Sequence, residues 1–140
     1  MEKNKLYLSW KWVDEQINKI GDKLEGLNLE FVSGIPRGGL IPAVMMSHAF
    51  NIKYISYSSA KMLPLELREK TLVIDDISDT GITLEEANDL KFILASLCIR
   101  SGTKTVPRFI GEIISDDRWL VFPWEKLGSI PMQDYLVDKK

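Results

Sequence analysis

One stretch constrains the fold more than any other: an apolar run that ends in two carboxylates and a small polar loop. Residues 72–74 are apolar, which predicts a buried strand, and Asp75 and Asp76 follow directly. The loop 77–81 then leads into a predicted helix over 82–90. A strand, a polar loop and a helix N-terminus together suit a phosphate, because free backbone N–H groups and the positive helix end point at the anion. The carboxylates would repel that anion, so we expect them to face a sugar, a metal ion or a reacting base.

Length and charge indicate one domain without an electrostatic attraction to nucleic acid. The 140 residues suit a single domain over 1–140, and the net charge of -2 and the lack of a Lys/Arg run argue against a phosphate-backbone partner. Cys98 is the only cysteine, which excludes an intrachain disulfide and fits a reducing compartment. No apolar run approaches the roughly 20 residues that span a bilayer, and residues 1–5 lead into no signal-peptide core. We therefore expect a cytoplasmic protein with no membrane partner.

Hydrophobic periodicity predicts helices that alternate with strands. Ser9 is a suitable N-cap for an amphipathic helix that begins at Trp10, with Gly26 as its stop signal. The helix predicted over 40–50 is apolar nearly all round and so mostly buried. Segment 59–70 has a weak pattern, which leaves a mobile flap or a short β-hairpin open. Further strands are predicted over 29–33, 54–58, 92–99, 109–114 and 119–122.

This alternation is typical of an α/β fold with a mainly parallel sheet flanked by helices. Ligands bind such sheets beyond the carboxyl ends of the strands. Three loops, 34–39, 75–83 and 100–104, each follow a predicted strand. We therefore expect the three loops to meet at one edge of the sheet.

Three segments resemble a known family. Segment 73–83, Val-Ile-Asp-Asp-Ile-Ser-Asp-Thr-Gly-Ile-Thr, resembles the phosphoribosyl-pyrophosphate (PRPP) motif of the type I phosphoribosyltransferases. Segment 34–40 is similar to their pyrophosphate loop, and segment 116–125 to the C-terminal segment of the purine-salvage members. The likeness is to the xanthine-guanine and hypoxanthine phosphoribosyltransferases, and it implies their fold with a short flap or hood region.

The resemblance implies an enzyme that transfers ribose 5-phosphate from PRPP to a 6-oxopurine and releases pyrophosphate. The base would be hypoxanthine, guanine or xanthine, and the family assembles as homodimers or homotetramers. Asp75 and Asp76 would lie near the ribose hydroxyls and help to position Mg²⁺, an ion that suits oxygen-rich sites. The remaining PRPP-binding residues would be Arg37, Gly38, Gly39, Asp79, Thr80, Gly81, Ile82 and Thr83.

The resemblance also implies roles on the base side of the site. Asp79 would exchange a proton with the purine, at N7. Trp119 would stack on the purine, and backbone groups of Trp119 and Leu120 would contact the ring edge. Arg100 occupies the place of a family lysine that contacts the 6-oxo group. Because guanidinium geometry differs from that of an ammonium, this departure leaves the preferred base open.

Three other functions are compatible with parts of the pattern. A regulatory protein that binds PRPP or a nucleotide without catalysis would keep the same fold. An aspartic protease would use segment 79–81, but it needs two such triplets and this chain has one. A receiver-like domain that accepts a phosphoryl group on Asp75 or Asp76 would leave segment 37–39 unexplained.

Overall fold

A computed structural model describes residues 4–78 and 81–125 of the chain. The elements are β1 (Lys5–Tyr7), α1 (Trp10–Asp22), β2 (Phe31–Gly34), α2 (Leu40–Phe50), β3 (Lys53–Tyr54), α3 (Tyr57–Lys61), α4 (Leu65–Arg68), β4 (Thr71–Ser78), α5 (Ile82–Asp89), β5 (Ile93–Arg100), β6 (Phe109–Ile114) and β7 (Trp119–Val121). The Ser9 side chain accepts a hydrogen bond from the Trp12 backbone N–H at 3.0 Å, so Ser9 caps α1 as predicted.

The main sheet has five parallel strands in the order β3-β2-β4-β5-β6. Strand β4 is central, and its first five residues, 71–75, are all buried. Such a continuous apolar run is typical of a parallel strand covered on both faces. The predicted fold class is therefore confirmed.

Two hydrophobic clusters cover the two faces of the sheet. The larger one packs α1 and α2 against the sheet and contains Ile17, Ile20, Met46, Leu72 and Leu97. The other packs α3 and α5 against the opposite face and contains Tyr57, Val73, Leu84, Ala87 and Leu94. Cys98 is buried in the larger cluster, as expected for a core residue.

A second, two-stranded sheet was only half predicted. Strand β1 pairs in parallel with β7, and Leu6 lies opposite Leu120. The sequence pattern missed β1 because its three residues are too few to establish an alternation. We call this pair of strands the hood.

The structure corrects three predictions about local structure. Segment 59–70 is not a β-hairpin, because most of it lies in α3 and α4; that it acts as a flap stays a prediction. The strand expected over 54–58 ends at Tyr54, because Ser56 accepts a hydrogen bond from the Ser59 backbone N–H and starts α3. Helix α2 has the predicted bounds but is less buried than expected, since Leu40 and Val44 are exposed.

None of the helices in residues 4–78 and 81–125 is long and apolar enough to cross a membrane.

Candidate active site

The loops after β2 and β5 lie at the carboxyl edge of the sheet, as predicted, but the loop predicted over 75–83 is shorter, because residues 75–78 belong to β4 and residues 82–83 to α5. All strand pairs of the main sheet are parallel, so β2, β4 and β5 end on the same side. Loop 35–39 follows β2 and leads into α2, and loop 101–108 follows β5. Helix α5 begins at Ile82, close behind the end of β4 at Ser78. The edge therefore gathers two helix N-termini and three polar loops, an arrangement suited to an anionic ligand.

Loop 35–39 is packed tightly against the central strand. The Ile35 backbone N–H donates to the Ile74 carbonyl at 3.1 Å, and the Gly39 N–H donates to the Ile35 carbonyl at 2.8 Å. A Cβ on Gly39 would lie 2.4 Å from the Ile74 oxygen, and one on Gly34 would lie 2.1 Å from the Gly39 oxygen. Glycine is therefore required at both positions for close backbone approach. Arg37 is exposed at the tip of this loop, after a cis peptide bond from Pro36.

The carboxylate of Asp76 lies directly against this loop. A Cβ on Gly38 would lie 2.1 Å from Asp76 Oδ2, while Oδ1 accepts a hydrogen bond from the Ile77 N–H at 2.7 Å. The structure thus brings together two segments that are separated by more than 30 residues in the chain, segment 37–39 and the acidic pair. Their roles in binding remain predictions.

Asp75 has a different environment from Asp76. Its side chain is only 4% exposed, and its two oxygens accept hydrogen bonds from the Asp76 N–H at 2.8 Å and from Thr83 Oγ1 at 3.1 Å. Asp75 therefore joins the end of β4 to the first turn of α5. Asp76 is half-buried, so it is the more accessible of the two carboxylates.

These carboxylates suit Mg²⁺ only as part of a set of ligands. Within residues 4–78 and 81–125, no group of three or more His, Cys, Asp or Glu side chains is arranged to hold a metal ion. Mg²⁺ usually keeps several waters and binds one or two carboxylates together with phosphate oxygens of a substrate. Asp75 and Asp76 supply carboxylate oxygens, which are ligands of the kind that Mg²⁺ prefers, and Asp76 is the more accessible of the two.

The loop after β5 packs against Ser78 and Gly81, which lie on either side of the predicted phosphate loop. Gly81 precedes α5 with φ +88°, and a Cβ there would lie 2.4 Å from the Thr105 backbone nitrogen. Buried Ser78 has its Oγ 3.0 Å from Thr103 Oγ1 and donates to the Thr105 carbonyl at 3.3 Å. The sequence analysis missed these two threonines, although hydroxyl side chains in a loop at this edge were a usable signal. Of the predicted phosphate-loop residues, Asp79 and Thr80 lie outside the described residues.

On the base side, the predicted residues all make structural contacts. The Arg100 guanidinium donates to the backbone carbonyls of Asp116, at 2.7 Å, and of Arg118. The Trp119 backbone N–H donates to the Asn4 carbonyl at 2.8 Å. The Leu120 side chain is buried in the core. Arg100 therefore holds the segment that leads into β7. The Trp119 backbone pairs β7 with the segment at β1.

The turn before β7 has its own ion pair. The Asp116 carboxylate accepts hydrogen bonds from Arg118 Nε and from the Arg118 backbone N–H, both at 3.0 Å. The Arg118 side-chain hydrogen bond holds the pKa of Asp116 below its usual value. Together with the Arg100 contacts, this pair fixes the turn that positions Trp119.

A cleft of about 450 Å³ opens between loop 35–39, α3 and the first turns of α5. Its described lining includes Pro36, Ser56, Lys61, Thr83 and Glu86. The sequence analysis assigned no role to Lys61 or Glu86. Two other basic residues, Arg68 and Lys70, precede β4 and so lie at the opposite end of the sheet.

Comparisons with known proteins agree on one family. A solved purine phosphoribosyltransferase from Pyrococcus horikoshii is 31% identical, with a TM-score of 0.74 over 93% of this chain and 99% of that one. A xanthine-guanine phosphoribosyltransferase from Cereibacter sphaeroides is 26% identical over 144 residues, covering 85% of this chain and 86% of that protein. No protein-family model matches the chain.

A further solved structure extends the agreement in fold. The Helicobacter pylori xanthine-guanine-hypoxanthine phosphoribosyltransferase has a TM-score of 0.71 at 19% identity, over 87% of this chain and 94% of that one. At this identity the likeness shows the fold alone.

Proposed function

The chain belongs to the purine phosphoribosyltransferase family, and we propose that it transfers ribose 5-phosphate from PRPP to a 6-oxopurine, giving a nucleoside monophosphate and pyrophosphate. One observation carries this proposal. The acidic pair at the end of β4 lies against the glycine loop that follows β2, with Asp76 beside Gly38. A strand end of this kind offers carboxylates for a ribose and its metal, next to backbone groups suited to phosphates.

The reaction breaks the bond between the anomeric carbon and pyrophosphate and forms a bond from that carbon to a ring nitrogen of the purine. Positive charge develops on the ribose in the transition state, so nearby carboxylates stabilise it. Asp76 is the accessible carboxylate for this role, and buried Asp75 contributes charge at longer range. Mg²⁺, when bound, would screen the charge on the leaving pyrophosphate.

Each phosphate group has a separate set of proposed ligands. The 5-phosphate would bind at the start of α5, where Thr80, Gly81, Ile82 and Thr83 offer backbone N–H groups and hydroxyls. The pyrophosphate would bind loop 37–39, where exposed Arg37 supplies a charge that does not titrate. Gly38 and Gly39 have no side chains, so a phosphate can approach the backbone of this loop closely. Both glycines are already tightly packed against their neighbours.

On the base side we assign Asp79 to the proton at purine N7. Trp119, half-buried at the start of β7, would stack on the base. Leu120 would contribute only backbone atoms, since its side chain is in the core. Arg100 would act on the base through the turn 116–118, which its guanidinium holds.

The experiment is an assay of the full chain with PRPP, Mg²⁺ and hypoxanthine, guanine or xanthine in turn, with adenine as the unreactive control. We expect release of pyrophosphate and a matching amount of nucleoside monophosphate with at least one 6-oxopurine. The same assay with excess EDTA tests the proposed dependence on Mg²⁺. Binding of PRPP without turnover of any base would contradict the proposal and support a non-catalytic regulatory protein.

A further inference from the structure

The cleft between loop 35–39, α3 and α5 carries charge that the proposed roles do not use. Among its described lining residues, Lys61 is the only cation and Glu86 the only anion. The rest of the polar lining consists of hydroxyl groups, those of Tyr54, Ser56, Tyr57, Ser58 and Thr83. Hydroxyl groups with a single ammonium suit a phosphate-bearing ligand, provided that the ammonium is held in place.

Two contacts hold the Lys61 side chain at this cleft. Its Nζ lies 3.3 Å from Glu86 Oε1 and 4.9 Å from the centroid of the Tyr57 ring. The Tyr57 hydroxyl donates to the same Glu86 oxygen at 2.8 Å, which fixes the carboxylate and the ring relative to each other. The buried ring anchors α3 on the core, where it also packs against Phe92.

The Tyr57 phenol stays protonated and so remains a donor to Glu86. Burial raises its pKa well above the usual value, and the hydrogen bond and charge of Glu86 raise it further. The Tyr57 hydroxyl therefore keeps its hydrogen bond to the Glu86 carboxylate, which also contacts Lys61. Lys61 keeps 37% of its side chain exposed, so its ammonium can still reach a ligand.

The position of the cleft indicates which part of a substrate Lys61 would meet. One wall is Ile35, Pro36 and Leu40, the two ends of the loop that carries Arg37. The opposite wall is Ile82, Thr83 and Glu86 on α5. The cleft that contains Lys61 therefore borders the loop to which the pyrophosphate is assigned.

The geometry points to Lys61 as a ligand of the pyrophosphate group, both in bound PRPP and in the released product, with Glu86 and Tyr57 as the residues that position it. This assignment rests on the proposed function, since it names a further residue of the same substrate site. A plain surface ion pair is the structural alternative, and such pairs contribute little to stability. The two readings differ in what happens to pyrophosphate affinity.

The test measures binding of inorganic pyrophosphate, with Mg²⁺, to the full chain by titration calorimetry. Lys61→Met keeps the length of the side chain and removes its charge, and we expect a loss of affinity of about 10-fold or more, the scale of a charge-assisted hydrogen bond. Lys61→Arg should recover most of that affinity. The matched control is Lys53→Met, because Lys53 also lies over an aromatic ring, that of Phe31, but at the opposite end of the sheet.

Steady-state kinetics give a second readout. For Lys61→Met we expect the KM for PRPP to rise about as much as the pyrophosphate dissociation constant, while the KM for the purine stays within twofold and the Tm changes little. Pyrophosphate affinity within twofold of the parent protein would overturn the assignment of Lys61. If the parent protein forms no nucleotide but Lys61→Met still weakens the binding of pyrophosphate, the proposed reaction is wrong and the assignment of Lys61 as a pyrophosphate ligand is kept.

Discussion

The phosphate side and the base side of the site are built in different ways. On the phosphate side, backbone segments are packed against each other, and glycines at 34, 39 and 81 leave no room for a Cβ. On the base side, long side chains hold short segments, as Arg100 does with the turn 116–118. Glycines in the sequence indicate where a site is made by backbone packing. A site made by side chains is harder to predict, because it depends on which partner each side chain contacts. The comparison predicts that substitutions on the phosphate side affect PRPP and stability, and those on the base side affect the purine.

Asp79 separates the two sides most sharply, because it follows the phosphate strand but is assigned to the base. Asp79→Asn should lower kcat by about 100-fold or more, the usual scale for loss of acid–base help, with the KM for PRPP little changed. Steady-state kinetics with both substrates measure this. The control is Asp89→Asn at the far end of α5, which should keep the parent rate. An undiminished kcat in Asp79→Asn would remove the residue from proton transfer.

Gly39 tests whether backbone packing governs the phosphate side. In Gly39→Ala the added Cβ meets backbone atoms of Ile35 and Ile74, which cannot move aside as a side chain can. We expect a loss of about 2 kcal/mol in the free energy of unfolding, within the range for overpacked sites. Urea denaturation followed by circular dichroism measures it. A stability equal to that of the parent would show that the loop yields easily and that its close packing matters little.

Gly38 gives the milder, matched substitution. There the three atoms nearest to the added Cβ all belong to the Asp76 carboxylate, the end of a side chain that can rotate. We expect Gly38→Ala to fold with a Tm close to that of the parent and to raise the KM for PRPP roughly 10-fold, because Asp76 is displaced from the ribose and metal site. Kinetics with PRPP varied at saturating purine measure the change. A larger rise in the KM for the purine would place Asp76 on the base side instead.

How far the sequence predicts the structure also differs between the two sides. The run from Leu72 to Ile74 and the helices around it follow from periodicity, and segment 37–39 could be placed beside the acidic pair because parallel strands end at one edge. The contact between Gly38 and Asp76 lies at that edge. Local pattern and fold point to the same structure here.

Elsewhere the outcome depends on contacts that no local pattern encodes. Strand β1 exists because β7 pairs with it, and α3 replaces a strand because Ser56 caps it and Tyr57 finds a buried place beside Glu86. Arg100 was predicted from the resemblance, as the residue at the place of a family lysine, but its hydrogen bonds to the 116–118 carbonyls depend on a turn 16 to 18 residues away. Tertiary partners of this kind override propensity and position.

Arg100 gives the smallest expected effect and the most direct test of the base side. Arg100→Met removes the hydrogen bonds to the carbonyls of Asp116 and Arg118, each of a kind that contributes about 1 kcal/mol net. Because the turn then holds Trp119 less firmly, we expect the KM for the purine to rise roughly threefold to fivefold while the KM for PRPP stays constant.

Two further variants separate positioning by Arg100 from direct contact with the base. If Arg100 acts through the turn, Arg100→Lys should behave like Arg100→Met, since an ammonium cannot span both carbonyls as a guanidinium fork does. If it contacts the 6-oxo group, Arg100→Lys should match or improve on the parent, because lysine is the family residue at that place. Arg108→Met, beside Phe109 at the start of β6, is the control and should leave both KM values unchanged. A KM for the purine in Arg100→Lys equal to that of the parent would therefore place the guanidinium in direct contact with the base.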